Sequence, residues 1–323
     1  MKAIVVTEFG EPEVLRLAEL PAPEVADGQV LVRMHAAGVN PVETYIRSGQ
    51  YARLPALPYT PGSEGAGEVE ALGEGVTSLR KGDRVFLSGS LTGTYAELAL
   101  CTLKQLHTLP AEAEFTHGAA MGVAYATAWR GLFQRGAAQV GETVLVHGAS
   151  GGVGSAAVQL AAAAGLRVFG TAGSEDGLAL IREAGAELAF NHSDPVYRQG
   201  ILDATAGRGV DCILEMLANI NLGEDLKLLA PRGRVVVIGS RGPVEINPRD
   251  LMMREADIRG LMGGMCTKEE REAMFTGLKK GLAAGHIKPV IAQRFSLDRA
   301  ADAHRAVMEG NSRGKIVLIP GGL

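Results

Sequence analysis

The chain is poor in cysteine, in aromatic side chains and in long apolar runs, and it carries no excess of positive charge. Its cysteines, Cys101, Cys212 and Cys266, are odd in number, far apart and never in a CxxC pair. That excludes a disulfide framework or a zinc knuckle built from sequence neighbours, and a reducing cytoplasm is the expected setting. No segment reaches the ~18 uncharged apolar residues of a membrane span, and the N-terminal stretch Met1 to Leu15 has no apolar run long enough for a signal peptide. A formal net charge of −4 and a pI near 6.0 offer a polyanion no overall attraction, which disfavours nucleic acid and acidic membranes as partners. The histidines, His35, His107, His117, His147, His192, His286 and His304, include no pair at ligand spacing, so no metal site is expected. The GxSxG elbow of serine hydrolases is missing too. His147, at the end of an apolar strand, reads as a hydrogen-bonded structural residue, and Cys212 as a small buried hydrophobe.

What is present suffices for two packed domains. Of 323 residues, 46% are hydrophobic and 21% charged, a balance that builds cores; the length suits about two domains at roughly 100 to 200 residues each. From residue 1 to 117, short β-rich runs such as AIVV, QVLVRM, AGEVEAL and DRVFL are separated by Gly/Pro clusters, the pattern of a mostly antiparallel barrel. From 118 to 263, apolar runs alternate with helical stretches: TVLVHG, SAAVQLAAAAG, LRVFGTA, GLALIREAG, ELAF, VDCILE, RVVVIG. That alternation predicts βαβ units and a doubly wound parallel sheet, its VLV and VVVI strands apolar on both faces. Residues 264 to 323 read as a helix over Lys268 to Ala284, another over Leu297 to Glu309 capped by Ser296, and a last strand KIVLIP that returns to the first domain. The expected class is α/β.

The segment TVLVHGASGGVGSAAVQL, Thr143 to Leu160, runs strand, glycine-rich turn, helix, the context a dinucleotide motif needs. Gly151 and Gly154 keep the last two glycines of GxGxxG, and Ala149 stands in the place of the first. Gly151 and Gly152 allow backbone to approach a pyrophosphate, the helix N-terminus supplies free N–H groups, Ser150 adds a hydroxyl, and Gly154 lets helix and strand pack closely. After the next strand, where an acidic residue would bind the NAD ribose, stand Ala172 and Gly173, leaving room for a 2′-phosphate. Glu175 and Asp176 read as the first turn of the following helix. NADPH is therefore the expected cofactor, with His192 or Arg241 as candidate phosphate partners.

GVNPVETYIRSGQY (Gly38 to Tyr51), LPYTPGSEGAG (Leu57 to Gly67) and HGASGGVG together resemble the zeta-crystallin-like quinone oxidoreductases of the medium-chain dehydrogenase/reductase superfamily. Matching stretches FNH at 190–192, EMLANINL at 215–222, IGSRG at 238–242 and EINPRD at 245–250 extend the likeness over nearly the whole chain. The resemblance implies a GroES-like catalytic domain built from both chain ends and a Rossmann-like cofactor domain between them. Zinc-dependent relatives would have a cysteine near Asn40 and a His-Glu pair at Ser63 and Glu64, so the resemblance implies zinc-free reduction. By matching position it places cofactor contacts on Tyr45, Ser150, Gly151, Gly152, Val153, Gly173, His192 and Asn221. Others fall on Ile238, Gly239, Ser240 and Arg241, then on Leu261, Met262 and Gly263, where LMGG departs from the usual family residues. It also implies a homodimer or homotetramer.

Hydride transfer asks a protein mainly to hold two flat rings together and to stabilise charge on the accepting oxygen. Asn40 and Tyr45 are the candidates for orienting nicotinamide and carbonyl, Tyr51 for the substrate entrance, and Thr60 and Thr127 for fixing the carboxamide. Tyr45 or water would supply the proton. The expected reaction is NADPH-dependent reduction of a quinone. Two alternatives stay open: reduction of an enal or enone double bond, and a non-enzymatic role as an NADPH-binding crystallin or single-stranded RNA binder.

Overall fold

A computed structural model describes residues 1–310 and 313–322. The chain divides into two units, Met1–Ala124 with Leu278–Leu323, and Tyr125–Gly277. The divisions fall later than the changes of pattern at 117 and 263, each inside a helical segment. Phe115–Gly118 continues into wide π-type turns over Met121–Tyr125, and the later division falls inside helix Lys268–Ala283.

In the first unit, β1 (Lys2–Val5) and β2 (Arg16–Glu19) pair as an antiparallel ribbon. β3 (Gln29–Val39), β4 (Glu64–Leu72), β5 (Arg84–Ser88), β6 (Leu98–Thr102) and β7 (Leu106–Thr108) form antiparallel ladders around the long β3. In the second unit, β8 (Thr143–Val146), β9 (Arg167–Ala172), β10 (Leu188–Asn191), β11 (Val210–Glu215), β12 (Leu229–Val237) and β13 (Asp257–Gly260) make one six-stranded sheet. β14 (Ile291–Ser296) and β15 (Lys315–Ile319) then join the first unit, β15 pairing antiparallel with β3. Ser296 ends β14 and stands at the N-cap position of a 3-10 turn, Leu297–Arg299, without a side-chain cap bond, and helix Ala300–Met308 follows.

The second sheet is parallel throughout, in the order β10-β9-β8-β11-β12-β13. Its centre is legible in the residues: every residue of β8 and β11 is buried, as strands covered on both faces must be. The strand order reverses between β8 and β11, and ligands of open α/β sheets bind beyond the carboxyl ends of strands at such a switch point. His147 and Glu215 stand at those two ends.

Candidate active site

The glycine turn follows β8 directly. Gly148 takes a positive φ of 55°, and helix Gly152–Ala163 starts after Gly151 without a side-chain cap, leaving first-turn N–H groups for an anion. A Cβ on Gly154 would lie 2.2 Å from the Gly148 carbonyl oxygen, so this glycine is required by helix-to-strand packing. A Cβ on Gly151 would come no nearer than 3.4 Å to any neighbour; the protein itself does not demand glycine there, whereas an approaching phosphate would. Ser174 accepts from the Gly177 N–H, and Glu175 and Asp176 form the first turn of its helix. Both acids lie past the position at the end of β9 where an acidic residue would meet a ribose. That position belongs to exposed Gly173, whose missing Cβ would lie 2.8 Å from His192 Nε2.

Beneath the turn, three ionisable groups far apart in sequence meet. His147 Nε2 lies 2.8 Å from Asp225 Oδ1 and 3.6 Å from Glu215 Oε2, and all three residues are buried. The His147 ring also reaches Thr171 Oγ1, which accepts from the Gly148 N–H. Glu215 Oε1 accepts from the Leu217 N–H and from Asn221 Nδ2. Glu215 Oε2 and Asp225 Oδ2 face no donor among the described residues, and two such oxygens can satisfy each other only if one holds a proton. Burial raises both carboxyls, each to about 7, and lowers the imidazole. One imidazole and two carboxylates are also a donor set for a divalent cation, with which Arg198, whose charge acts on Asp225, would compete.

Asn221 is thereby held from below by Glu215. Ile238 and Gly239 donate their N–H groups to the Glu215 carbonyl, and the Arg241 N–H donates to Asn219 Oδ1. Exposed Ser240 hydrogen-bonds the Gly242 carbonyl. Leu261, Met262 and Gly263 are fixed by a residue the sequence did not single out: buried Arg130, which donates to the Met262 carbonyl at 2.7 Å. Ser150, Gly151, Gly152 and Val153 lie together on the turn, and half-buried Thr127 belongs to helix Ala126–Trp129 of the same unit.

The first unit holds its own buried ionic group. Lys315 Nζ, on β15, reaches Glu64 Oε1 and Asn40 Oδ1 at 2.5 Å each and the Val39 carbonyl at 2.9 Å. Glu64 Oε1 also accepts from Asn40 Nδ2, and its Oε2 accepts from the Val123 N–H. Gly38 and Gly122 permit this packing, since a Cβ on either would come within 3 Å of Glu64 side-chain atoms. Asn40 is 4% exposed with both ends of its amide engaged, so it braces the site from within. Tyr45 on helix Pro41–Arg47, Tyr51 just after it, and Thr60 are half-buried in this unit.

Residues 26–111 match the alcohol dehydrogenase GroES-like domain family and residues 152–279 the zinc-binding dehydrogenase family. The chain is 48% identical over 321 residues to human quinone oxidoreductase, covering 99% of this chain and 98% of the relative. Among solved structures, Escherichia coli quinone oxidoreductase complexed with NADPH superposes with a TM-score of 0.90 at 29% identity, covering 99% of this chain and all of that one. A solved NAD-dependent alcohol dehydrogenase gives a TM-score of 0.92 at 29% identity, covering 99% of each chain. The chain belongs to the quinone oxidoreductase family. Within that family of the medium-chain dehydrogenase/reductase superfamily, a catalytic zinc does not fit this member: Asn40 and Ser63 offer an amide and a hydroxyl, and the one carboxylate at the position, Glu64, is occupied by the Lys315 ammonium.

Proposed function

We propose that the protein is an NADPH:quinone oxidoreductase that works without zinc. The observation that carries the reading is the uncapped helix N-terminus behind Gly151, at the switch point of the parallel sheet, in a chain alike end to end to quinone oxidoreductases. When bound, NADPH supplies the hydride. The turn from Ser150 to Val153 would bind the pyrophosphate, and Gly173 with His192 and Arg241 would make room for the 2′-phosphate. Asn221, Ile238 to Arg241 and Leu261 to Gly263 would hold the nicotinamide half, with Thr127 and Thr60 at its carboxamide.

Tyr45 and Tyr51 would contact the substrate, while Asn40, with its amide engaged by Lys315 and Glu64, acts as a positioning residue. The sheet ends on β13, and Met252, Met253 and Met265, near it in sequence, are exposed; an unpaired edge strand and exposed apolar side chains support self-association into a dimer or tetramer. No helix among the described residues is long and apolar enough to cross a membrane, in keeping with a cytoplasmic enzyme. A spectrophotometric screen of NADPH and NADH against several quinones and enals is the test. Oxidation of NADPH in preference to NADH, with a quinone in preference to an enal, is expected. Turnover confined to enals would make the protein a double-bond reductase. RNA retention without any turnover would favour the non-enzymatic reading.

A further inference from the structure

We propose that His147, Glu215 and Asp225 bind one zinc-like divalent cation inside the second unit, apart from the hydride chemistry, which needs no metal. Glu215 and Asp225 are 0% and 1% exposed. Each carries an oxygen, Glu215 Oε2 and Asp225 Oδ2, that meets no donor among the described residues. A buried carboxylate without a partner is costly, and a second one beside it adds repulsion. A dication cancels both charges at once. Arg198 and Glu224 also act on Asp225, with opposite signs, so they do not replace it. A proton shared between the carboxyls is the alternative neutraliser.

The three side chains converge from separate elements. His147 follows β8, Glu215 ends β11, and Asp225 stands on helix Ala218–Leu228. Their ligand atoms all lie within 4.8 Å of one another. At metal–ligand lengths of about 2.1 Å, two ligands of a tetrahedral centre stand about 3.4 Å apart. His147 Nε2 and Glu215 Oε2 are 3.6 Å apart. His147 Nε2 and Asp225 Oδ1, at 2.8 Å, need to part by only about half an ångström. Asp225 Oδ2 is free to make its carboxylate bidentate, which gives four donors from three residues. An imidazole among so few oxygens suits zinc or cobalt; magnesium and calcium call for more oxygen ligands.

The neighbouring groups orient this donor set. A metal-binding imidazole donates its other ring N–H to an oxygen, and His147 Nδ1 lies 3.4 Å from Thr171 Oγ1. Glu215 Oε1 is engaged on the other side, accepting from the Leu217 N–H and Asn221 Nδ2, which leaves Oε2 for the ion. Thr171 Oγ1 also accepts from the Gly148 N–H. Through Thr171 and Glu215 the cation would tie the start of the glycine turn to Asn221, bracing the ends of β8 and β11 together.

The test strips the full-length protein with dipicolinate, dialyses it near neutral pH, and titrates in Zn2+ by calorimetry, with Co2+ as the spectroscopic probe. The wild type should take up one ion per chain, with a rise in melting temperature that dipicolinate reverses. Its cobalt X-ray absorption spectrum should show a single imidazole nitrogen. Glu215→Gln and Asp225→Asn should abolish uptake. Thr171→Val leaves the ligands in place and should weaken uptake about 10-fold, the low end for a residue that orients a metal-binding imidazole. No uptake by the wild type would overturn the site and leave the shared proton in its place. Uptake kept by both amide variants, or a cobalt spectrum with several imidazoles or none, would overturn it equally by putting the ion elsewhere. If the amide variants do not fold, the wild-type cobalt spectrum decides.

Discussion

Both units bury a cluster of ionisable side chains, and they neutralise it in opposite ways. In the first, a lysine from β15 meets a glutamate from β4 and an asparagine between them. In the second, no lysine or arginine among the described residues is bonded to Glu215 or Asp225; His147 is the close partner of Asp225, and burial raises both carboxyls. The first arrangement is closed by an ion pair between Lys315 and Glu64. The second depends on solvent acidity. The lesson is that a buried cluster's response to its surroundings follows from which cation it uses, not from how deeply it lies.

Lys315→Met tests the first half of that contrast and should have the largest effect. It strands buried Glu64 without its cation, and breaking a buried pair by removing one partner costs about 3–5 kcal/mol; urea unfolding should report a loss of that order. The second half is tested by Asp225→Asn. Glu215 and Asp225 sit above their ordinary values of 4.5 and 3.8, near 7 in the folded protein. A raised carboxyl stabilises the fold below its unfolded pKa, and that contribution is lost as pH rises through the folded value. Wild-type stability should therefore fall by a few kcal/mol between about pH 4 and 7, and Asp225→Asn should flatten this slope. Unfolding midpoints across that window decide it.

The two turn glycines sharpen the comparison within the second unit. Gly154→Ala drives a methyl against the Gly148 carbonyl and should destabilise the fold by about 1–3 kcal/mol, the usual cost of overpacking. Gly151→Ala, with ordinary space around the added methyl, should move stability by no more than about 0.5 kcal/mol while weakening NADPH binding. A calorimetric titration beside a melting curve separates the two. Equal effects on stability would contradict the division between a packing glycine and a ligand glycine.

Much of this was legible in the residues, because local chemistry wrote it. The glycine turn, the buried helix behind it, Ser174 with its acidic first turn, and the fully buried β8 all follow from neighbours in sequence. Cys212 and His147 are buried, as their strands suggested. The ionic clusters were hidden because their partners are distant: Lys315 lies 275 positions from Asn40, and Asp225 lies 78 from His147. Each left a trace all the same, a charged residue at one end of an apolar strand, Lys315 opening KIVLI and Glu215 closing VDCILE. Arg130 left none, since its carbonyl partner carries no side-chain signature.

The distance between Lys315 and Glu64 also sets an order of assembly. A ribosome releases the glutamate first and the lysine only after the whole cofactor-binding unit has been made. Until then the nascent first unit lacks both the β15 strand and the charge that lets Glu64 go inside. The cofactor unit has all of its strands by that point, so it can close while its neighbour waits.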